Sequence, residues 1–408
     1  MSKLPEVPKR LMQKTGDEVS LLGFGCMRFK GKFGKTDMKL AEKLVAEALS
    51  SGVNYFDTAY MYPGNEKVVG TLLAKEDELG KRRDRVFIAT KLPAMLVRSA
   101  DDFEKMLATS LERLGTDYID YYLVHSISSF EKWAQLREMG LVEFLEKARD
   151  DGRIKHIGFS YHGNLLDFRK MVDDYDWEFT QIQYNYLDEN FQAGTEGLLY
   201  AAERGLGIVV MEPLRGGMLI DKMPPAAKRL ISEYKDSDGI SRKPADWGLR
   251  WVFNHPEVHC VLSGMNEMHH VKENVKVASD SSECSLTAED LSMIEDVKAV
   301  FDKDIKIQCT ACSYCMPCPF GVNIPLCFSI YNTYSMFGGF STKFMYSFNL
   351  RGAKGKTAKA SACTKCGACE KKCPQDLPIM KTLDDVTKTL DSKLITGALR
   401  LAKPFLGK

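Results

Sequence analysis

The sequence predicts an α/β chain in which a (β/α)8 TIM barrel precedes a small α-rich domain. Over the first 300 residues, eight short apolar runs alternate with amphipathic stretches, and eight strand–helix repeats in about 250–300 residues are typical of this barrel. Eight of the twelve cysteines then fall into two short runs, CTACSYCMPCP at 309–319 and CTKCGACEKKCP at 363–374. Because a chain of 408 residues is long for a single core, we expect two domains, 1–300 and 301–408.

Each predicted strand is a short run of mainly apolar residues. The eight runs are Leu21–Cys26, Asn54–Thr58, Val86–Lys91, Tyr118–His125, His156–Ser160, Phe179–Tyr184, Gly207–Glu212 and His259–Gly264. Amphipathic spacing predicts helices between them, for example at Met38–Leu49, Asp101–Leu114, Leu141–Arg149 and Glu196–Ala202. A doubly wound sheet is the rival architecture, and it usually has a glycine-rich phosphate loop after its first strand. The segment GFGCMRF at 23–29 lacks the third glycine and opens no helix, which favours the barrel.

Polar side chains end several of the predicted strands. Asp57, Lys91, His125 and Ser160 close the second to fifth strands, and Gln181 lies within the sixth. Each of these residues alone could have a structural role, such as capping a loop or filling the core. In a (β/α)8 barrel, however, consecutive strand ends converge on the mouth where the chemistry takes place. Together these residues therefore predict an active site at the C-terminal ends of the strands.

The two cysteine runs predict a ferredoxin-like domain with two 4Fe–4S clusters. The second run has gaps of two, two and three residues and ends in Cys-Pro, as in two-cluster ferredoxins, where the fourth cysteine of a run binds the other cluster. The last gap of the first run is two residues, so the assignment of Cys318 departs from the usual pattern. The predicted ligand sets are Cys309, Cys312, Cys315 and Cys373 for one cluster, and Cys363, Cys366, Cys369 and Cys318 for the other.

Zinc knuckles and disulfides are the alternative uses of these cysteines. Zinc sites also use Cys-x2-Cys pairs, but four evenly spaced cysteines followed by proline fit them poorly. The segment Met1–Lys14 is polar and lacks the apolar core of a signal peptide, so we expect a cytoplasmic chain, in which disulfides are rare. The remaining cysteines are predicted to be small core residues: Cys26, Cys260, Cys284 and Cys327.

Charge is divided unevenly along the chain. Residues 1–308 have 42 basic and 50 acidic side chains, whereas residues 309–408 have 14 basic and 5 acidic ones. Basic segments often bind nucleic acid, but a 4Fe–4S cluster with four thiolates is anionic. We therefore interpret the lysines around the second run, including Lys371 and Lys372, as charge compensation or as a docking face for an acidic one-electron partner rather than as a nucleic-acid site.

The segment 307–342 contains no charged residue. Prolines interrupt it and it is rich in Cys, Ser, Asn and Thr, so it does not predict a membrane span. We interpret it as the buried shell of a cluster. Its aromatic residues recur at helical spacing and are predicted to form a helix core: Phe328, Tyr331, Tyr334, Phe337, Phe340 and, just beyond the segment, Phe344.

Seven motifs of the first domain carry a resemblance to a known family. They are GFGCM at 23–27, FDTAYMYPGNEKVVG at 56–70, TK at 90–91, YYLVHS at 121–126, GFS at 158–160, QYNYLDEN at 183–190 and EPLRGG at 212–217. Through them, residues 8–300 are similar to the aldo-keto reductase family. With the cysteine runs, the whole chain resembles the subgroup that has a C-terminal ferredoxin-like 4Fe–4S domain. The resemblance implies a catalytic tetrad of Asp57, Tyr62, Lys91 and His125.

The chemistry of carbonyl reduction agrees with the tetrad that the resemblance implies. A hydride must reach the carbonyl carbon and a proton must reach its oxygen, and Tyr62 would be the general acid. An ammonium group beside the phenol, that of Lys91, is expected to lower the tyrosine pKa. Asp57 would keep this lysine charged, and His125 would orient the substrate oxygen.

The resemblance also implies positions that contact a nicotinamide cofactor. Ser160 and Gln181 match the residues that hold the carboxamide, and Glu273 and Asn274 match the adenine-side pair. Some neighbouring positions depart from the family: Tyr161 replaces a common asparagine, Met211 replaces an aromatic residue, and Glu267 stands where a basic residue usually grips the 2′-phosphate of NADP. We therefore expect NAD(H) rather than NADP(H).

The predicted function is that of an iron–sulfur oxidoreductase that interconverts a small carbonyl compound and an alcohol while its clusters exchange electrons with a partner. Clusters pass single electrons and nicotinamide passes a hydride, so a flavin could be needed between them, although the sequence contains no flavin motif. The alternatives are a non-enzymatic electron-transfer module on a barrel scaffold and a reductase whose clusters are structural. Substrate identity has no readable signature in the loops.

Overall fold

The computed structural model describes residues 4–32, 35–350, 357–392 and 395. The chain forms two compact units. The first consists of Met1–Ile220 and Tyr234–Ile294, and the second of Asp221–Glu233 and Glu295–Lys408. Residues 351–356, 393–394 and 396–408 of the predicted second domain lie outside the described residues. None of the helices in the described ranges is long and apolar enough to cross a membrane.

The first unit contains a closed barrel of eight parallel strands, which confirms the predicted fold. Each strand pairs with the next along the chain, and the eighth closes on the first where Val261 lies opposite Leu22. Every strand begins and ends within two residues of its predicted limits. In chain order the strands are β1 Leu22–Gly25, β2 Tyr55–Asp57, β3 Phe87–Leu92, β4 Ile119–Ile127, β5 Ile154–Tyr161, β6 Phe179–Gln183, β7 Gly207–Met211 and β8 Cys260–Ser263.

Fifteen α-helices are assigned in the described ranges, and those of the first unit surround the barrel strands as a (β/α)8 fold requires. They are α1 Met38–Ser50, α2 Asn65–Leu73, α3 Asp101–Leu114, α4 Phe130–Glu138, α5 Leu141–Asp150, α6 Leu165–Asp174, α7 Gly194–Glu203, α8 Met218–Asp221, α9 Pro225–Glu233, α10 Pro244–Phe253, α11 Met268–Ser279, α12 Ala288–Asp302, α13 Ile324–Phe337, α14 Phe340–Asn349 and α15 Ile379–Leu390.

A hairpin that the sequence did not predict precedes the barrel. Its two antiparallel strands are Lys9–Met12 and Asp17–Ser20. Met12 and Val19 are completely buried among the side chains that fill the barrel interior, and Met12 lies against Gly207 at the start of β7. The hairpin therefore closes the N-terminal end of the barrel, which leaves the opposite end for the candidate site. Two shorter hairpins are formed by Gly31–Lys32 with Lys35–Thr36 and by Glu76–Asp77 with Gly80–Lys81.

The second unit has an apolar core of its own. Helices α13 and α15 contribute Phe328, Ile330, Leu383 and Val386, all of which are buried. Cys327 lies in the same core, in agreement with its predicted role, and Cys26 and Cys260 are buried in the barrel unit. Cys284 is exposed, so its prediction as a core residue was wrong.

The predicted aromatic helix core is correct for α13 but wrong for α14. Phe328 and Phe337 of α13 are buried, whereas Phe340 and Phe344 of α14 are 71% and 42% exposed. Tyr346 determines which face of α14 is inward, because its buried hydroxyl accepts a hydrogen bond of 3.0 Å from the N–H of Ala360. Phe340 and Phe344 are four residues apart and therefore share one helix face. Their exposure shows that this face is turned away from the inward side.

Candidate functional sites

Lys91 and Asp57 form a buried ion pair at the C-terminal ends of β3 and β2. The two residues are 1% and 4% exposed. The Nζ atom of Lys91 donates to the carboxylate of Asp57 and, over 2.7 Å, to the carbonyl oxygen of Thr58. Burial raises the pKa of Asp57, and the adjacent ammonium of Lys91 opposes this increase. The pair thus provides a fixed and internally compensated charge below the mouth of the barrel.

Tyr62 lies beside this pair in the loop after β2. The Nζ atom of Lys91 is 5.7 Å from the centroid of the Tyr62 ring. Burial and the carboxylates of Asp57 and Glu212 raise the pKa of Tyr62 above its ordinary value, and the guanidinium of Arg28 lowers it. The sequence led us to expect a pKa lowered by Lys91. In the structure burial has the largest effect and raises the pKa instead, so the phenol stays protonated at neutral pH, as a general acid requires.

The loop that carries Tyr62 is held by a chain of hydrogen bonds that sequence reasoning did not identify. The hydroxyl of Thr58 donates to Oδ1 of Asn65 over 2.6 Å, and Nδ2 of Asn65 donates to the carbonyl oxygen of Cys26 over 2.9 Å. All three residues are buried. This chain connects the loop after β2 with the loop after β1. Asn65 lies within the quoted motif at 56–70, but only its tertiary contacts indicate a positioning role.

His125 is the fourth residue of the predicted tetrad and sits at a bulge in β4. The register between β4 and β5 shifts between Val124 and Ile127, and bulges commonly reorient side chains next to active sites. The His125 ring lies edge-on to that of Tyr62, with centroids 6.2 Å apart. Burial, Lys91 and His162 lower the pKa of His125 to about 3. The imidazole is therefore neutral and can donate one hydrogen bond without carrying charge.

Ser160 and Gln181 lie opposite each other in the register of β5 and β6. The Oγ atom of Ser160 accepts a 2.7 Å hydrogen bond from the N–H of Ser126, and its hydroxyl proton can still be donated. The Nε2 atom of Gln181 points at the sulfur of Met211, 3.5 Å away. The Oε1 atom of Gln181 is buried and has no hydrogen-bond partner among the described residues. One free donor and one free acceptor fit a primary carboxamide.

Glu273 and Asn274 lie on α11 and already have partners. Glu273 accepts a 2.6 Å hydrogen bond from Nζ of Lys243. Asn274 is buried and donates to Oγ of Ser263 over 2.9 Å. Both residues thus already have hydrogen-bond partners, whereas the Oε1 atom of Gln181 has none among the described residues.

Glu267, at the N-terminal cap of α11, forms an ion pair with Lys30. The hydrogen bond from Lys30 lowers the pKa of Glu267, which keeps its charge negative. Tyr161 turns its hydroxyl to the carbonyl oxygen of Asn164, 2.7 Å away. It is buried, and its hydroxyl is satisfied by this bond within its own loop.

Two open cavities in the second unit each bring together four cysteines. One is lined by three cysteines of the first run and one of the second: Cys309, Cys312, Cys315 and Cys373. The other is lined by three cysteines of the second run and one of the first: Cys363, Cys366, Cys369 and Cys318. Ile324 lines both cavities, so a single buried side chain lies between them.

The surroundings of the cavities fit clusters better than the alternatives. All twelve cysteines lie in the described ranges and all are free thiols. Within these ranges, no three His, Cys, Asp or Glu side chains are close enough to enclose one metal ion. Tetrahedral zinc draws its sulfur ligands to about 2.3 Å, whereas a 4Fe–4S group separates its thiolates around four irons and four sulfides. Each cavity is lined by four cysteines, the number of thiolates that one 4Fe–4S cluster requires.

Exposed lysines accompany the second cysteine run. Lys371 and Lys372 are exposed and lie in a 3-10 turn that ends next to Cys373. Lys365 pairs with Asp384 at 2.7 Å, and its N–H lies 3.4 Å from the sulfur of Cys363. Hydrogen bonds from backbone N–H groups to the sulfurs are one of the means by which a protein sets the reduction potential of a cluster.

Comparison with known proteins agrees with both units. The profile of the Aldo/keto reductase family matches residues 21–299, and that of a 4Fe-4S dicluster domain matches residues 308–377. L-galactose dehydrogenase of Arabidopsis thaliana is 27% identical over 310 residues, which cover 72% of this chain and 95% of the relative. The uncharacterized oxidoreductase YrpG of Bacillus subtilis is 29% identical over 322 residues, which cover 70% of this chain and 94% of the relative.

Solved structures show the same barrel. The holo form of aldo-keto reductase AKR11C1 from Bacillus halodurans superposes with a TM-score of 0.59 and 26% sequence identity. The match covers 72% of this chain and 96% of that one. The family profile spans most of the first unit, and the dicluster profile spans both cysteine runs. The chain therefore belongs to the aldo-keto reductase family and adds to its barrel a C-terminal 4Fe–4S dicluster domain.

Proposed function

We propose that the barrel interconverts a small carbonyl compound and its alcohol, with Tyr62 as general acid in reduction and as general base in oxidation. The observation that carries this proposal is the buried pair of Lys91 and Asp57, with Tyr62 and His125 beside it. A docking scaffold has no use for a charged pair at this depth, since burying two ions is costly. Four residues, from three strands and one loop, would thus form one active site at the mouth of the barrel.

Each residue of the tetrad has a distinct part in the proton transfer. Tyr62 holds a phenolic proton at neutral pH because its pKa is raised, and it donates this proton to the oxygen that develops negative charge. Lys91 lies near enough to stabilise the phenolate that remains. Asp57 keeps Lys91 charged and oriented. The neutral imidazole of His125 donates a hydrogen bond to the same substrate oxygen and aligns it with Tyr62.

A nicotinamide cofactor would supply or accept the hydride when bound. Ser160 would donate its hydroxyl proton to the carboxamide oxygen, and the unpaired Oε1 of Gln181 would accept from the carboxamide N–H2. Glu273 and Asn274 remain the predicted adenine-side contacts. We infer a preference for NAD(H), because Glu267 places a negative charge where a 2′-phosphate would need a cation.

The second unit is proposed to exchange single electrons with an acidic partner. Its ligand sets would be those that line each cavity: Cys309, Cys312, Cys315 and Cys373, and Cys363, Cys366, Cys369 and Cys318. One hydride carries two electrons, so hydride transfer and cluster chemistry can be coupled only through a carrier that accepts two electrons together and releases them one at a time. A flavin has the required chemistry, and a cofactor screen with NADH, NADPH and flavins under anaerobic conditions would identify it.

Replacing Tyr62 with phenylalanine tests the proposed chemistry. The change removes only the hydroxyl, so we expect turnover of a carbonyl substrate to fall by roughly a hundredfold or more. The fold and cofactor binding should remain, and circular dichroism and a fluorescence titration would check both. Tyr60→Phe is a matched control in the same loop, because the Tyr60 ring contacts Arg113 rather than the tetrad. Near-full activity of the Tyr62→Phe variant would refute the role of Tyr62.

A further inference from the structure

Arg28 lies at the mouth of the barrel and has no role in the tetrad or among the predicted cofactor contacts. It ends the short 3-10 turn Cys26–Arg28 that follows β1, and it is exposed. In the part of the chain that the structure describes, no ion pair or hydrogen bond is recorded for its guanidinium. By contrast, Arg215 in the loop after β7 is buried and paired with Asp188 at 2.9 Å.

Two glycines leave the space that the Arg28 side chain occupies. A Cβ atom on Gly216, in the loop after β7, would stand 2.7 Å from the Arg28 Nη2 atom. A Cβ atom on Gly264, directly after β8, would stand 2.8 Å from its Cδ atom. Any larger residue at either position would therefore displace the guanidinium. Arg28 thus extends from the first loop across the seventh and eighth loops.

Arg28 lies in a region where (β/α)8 barrels often bind ligands. The loops after strands seven and eight often form a phosphate-binding site. Arg28 adds to these loops a planar cation that can bind an oxyanion through two parallel hydrogen bonds. Its field also reaches the Tyr62 hydroxyl, so an anion bound here would be close to the reacting groups.

We propose that Arg28 binds an oxyanion of a ligand in the barrel mouth. The anion is either the diphosphate of a dinucleotide cofactor or a carboxylate on the carbonyl substrate. Both present the same chemistry to a guanidinium, and they can be separated by experiment. The inference rests on the proposed function for the identity of the ligands, but binding to Arg28 can be measured without turnover.

The first arm of the test measures binding of ADP-ribose, which contains the diphosphate but no nicotinamide. Arg28→Gln should weaken this binding by roughly tenfold to a hundredfold if the diphosphate is the ligand. Calorimetry or tryptophan fluorescence would measure it on the full chain. Arg98→Gln is the matched control, since Arg98 is an exposed arginine in the loop after β3 and the variant has the same change in charge.

The second arm compares succinic semialdehyde with butanal, which differ by one terminal carboxylate. If that carboxylate is the ligand, Arg28→Gln should lower kcat/KM for succinic semialdehyde by roughly tenfold or more and leave butanal unchanged. Binding of succinate, measured by calorimetry, should weaken in parallel. Gly264→Ala keeps the charge but displaces the Arg28 side chain, so it should reproduce the loss in whichever arm responds.

The outcomes separate this inference from the proposed function. The inference is wrong if Arg28→Gln behaves like wild type and like Arg98→Gln with all probes. It is also wrong if wild type binds neither ADP-ribose nor succinate and does not favour succinic semialdehyde over butanal. In either case the Tyr62→Phe experiment can still support the reductase. If ADP-ribose binding depends on Arg28 while no carbonyl compound is reduced, the inference stands and the proposed function fails.

Discussion

Lys91 and Asp57 are in direct contact at the ends of adjacent barrel strands, and both are almost completely closed to solvent. Removing one partner of such a pair leaves an uncompensated buried charge, which typically costs about 3–5 kcal/mol, whereas replacing both partners with uncharged groups of similar size is often tolerated. The pair therefore offers a test of its structure that does not depend on catalysis.

We expect Lys91→Met to lower the free energy of unfolding by about 3–5 kcal/mol. Adding Asp57→Asn to this variant should recover much of that loss, because no buried carboxylate is left without its cation. Both proteins should be inactive. Urea unfolding of the two single variants and the double variant would measure the coupling. Purely additive losses would contradict a direct buried ion pair.

A second prediction concerns stability against pH at the N-terminal end of the barrel. His156 contacts Glu178 at 2.7 Å and Asp17 of the hairpin at 3.1 Å. Burial opposes the charged imidazole, but the hydrogen bonds to Asp17 and Glu178 raise the pKa of His156 to about 9. The folded pKa exceeds the unfolded one, so the stabilisation is complete below about pH 6.5 and is lost as the pH rises through about 9.

His156→Gln should therefore lower stability by about 3 kcal/mol at pH 6 and by much less at pH 10. The measurement is the difference between wild type and variant in urea unfolding across this range. His269→Gln is the control, since His269 is exposed on α11. A difference that does not change with pH would show that the charged form of His156 contributes nothing to the fold.

A third prediction separates crossed from uncrossed cluster ligation. After anaerobic reconstitution we expect about eight irons and eight sulfides per chain. Cys309→Ala with Cys373→Ala removes two ligands of one proposed set, so about four irons should remain. Cys309→Ala with Cys318→Ala removes one ligand from each set and should abolish both clusters.

Iron and acid-labile sulfide assays give the count for each double variant. Cys284→Ala is the control, because this exposed cysteine lies in neither run, and it should retain all eight irons. If ligation followed the runs rather than the cavities, the two double variants would exchange their results. Stoichiometric zinc without labile sulfide would reject the clusters altogether.

A fourth prediction concerns the choice of nicotinamide. Wild type should bind NADH more tightly than NADPH, because Glu267 repels a 2′-phosphate. Glu267→Gln removes this repulsion and releases Lys30 from its ion pair. The variant should gain affinity for NADPH by roughly threefold to tenfold and change little toward NADH, as measured by fluorescence titration. Tighter binding of NADPH to wild type would show that another basic residue grips the phosphate.

The fifth prediction concerns docking of an acidic electron carrier, such as a small ferredoxin. Lys371 and Lys372 are exposed beside the second cysteine run, and a positive face steers an acidic partner into contact. Replacing both lysines with glutamate should lower the association rate and leave the cluster content unchanged. The wild-type rate should fall with salt, since exposed charges are screened within about 8 Å at physiological ionic strength.

The control for docking makes the same change in charge elsewhere in the domain. Lys381→Glu with Lys388→Glu alters two lysines of α15 that are not part of either cysteine run. Stopped-flow electron transfer at several salt concentrations would compare the two double variants. A rate that is indifferent to salt and equal in both variants would exclude electrostatic docking at Lys371 and Lys372.

Local sequence patterns were enough to predict the barrel, the dicluster domain and the positions of the candidate residues. Alternating apolar runs and helical spacing are local properties, so the eight strands could be placed within two residues of their observed limits. The number of residues between the cysteines of each run is likewise a local property of the sequence. Prediction of the tetrad depended on the family motif as well, because Tyr62 lies in a loop, where no hydrophobic periodicity marks it.

Which side chains come into contact, and in what charge state, depends on the folded chain. The ion pair of Asp57 with Lys91 and the raised rather than lowered pKa of Tyr62 both depend on burial and on contacts between distant segments. The same holds for Arg28. The glycines that leave room for its side chain, Gly216 and Gly264, lie nearly 200 residues or more after it in the sequence. It also holds for α14, in which the buried Tyr346 turns apolar residues outward. Long-range contacts and desolvation arise only when the chain is folded, so local sequence patterns do not specify them.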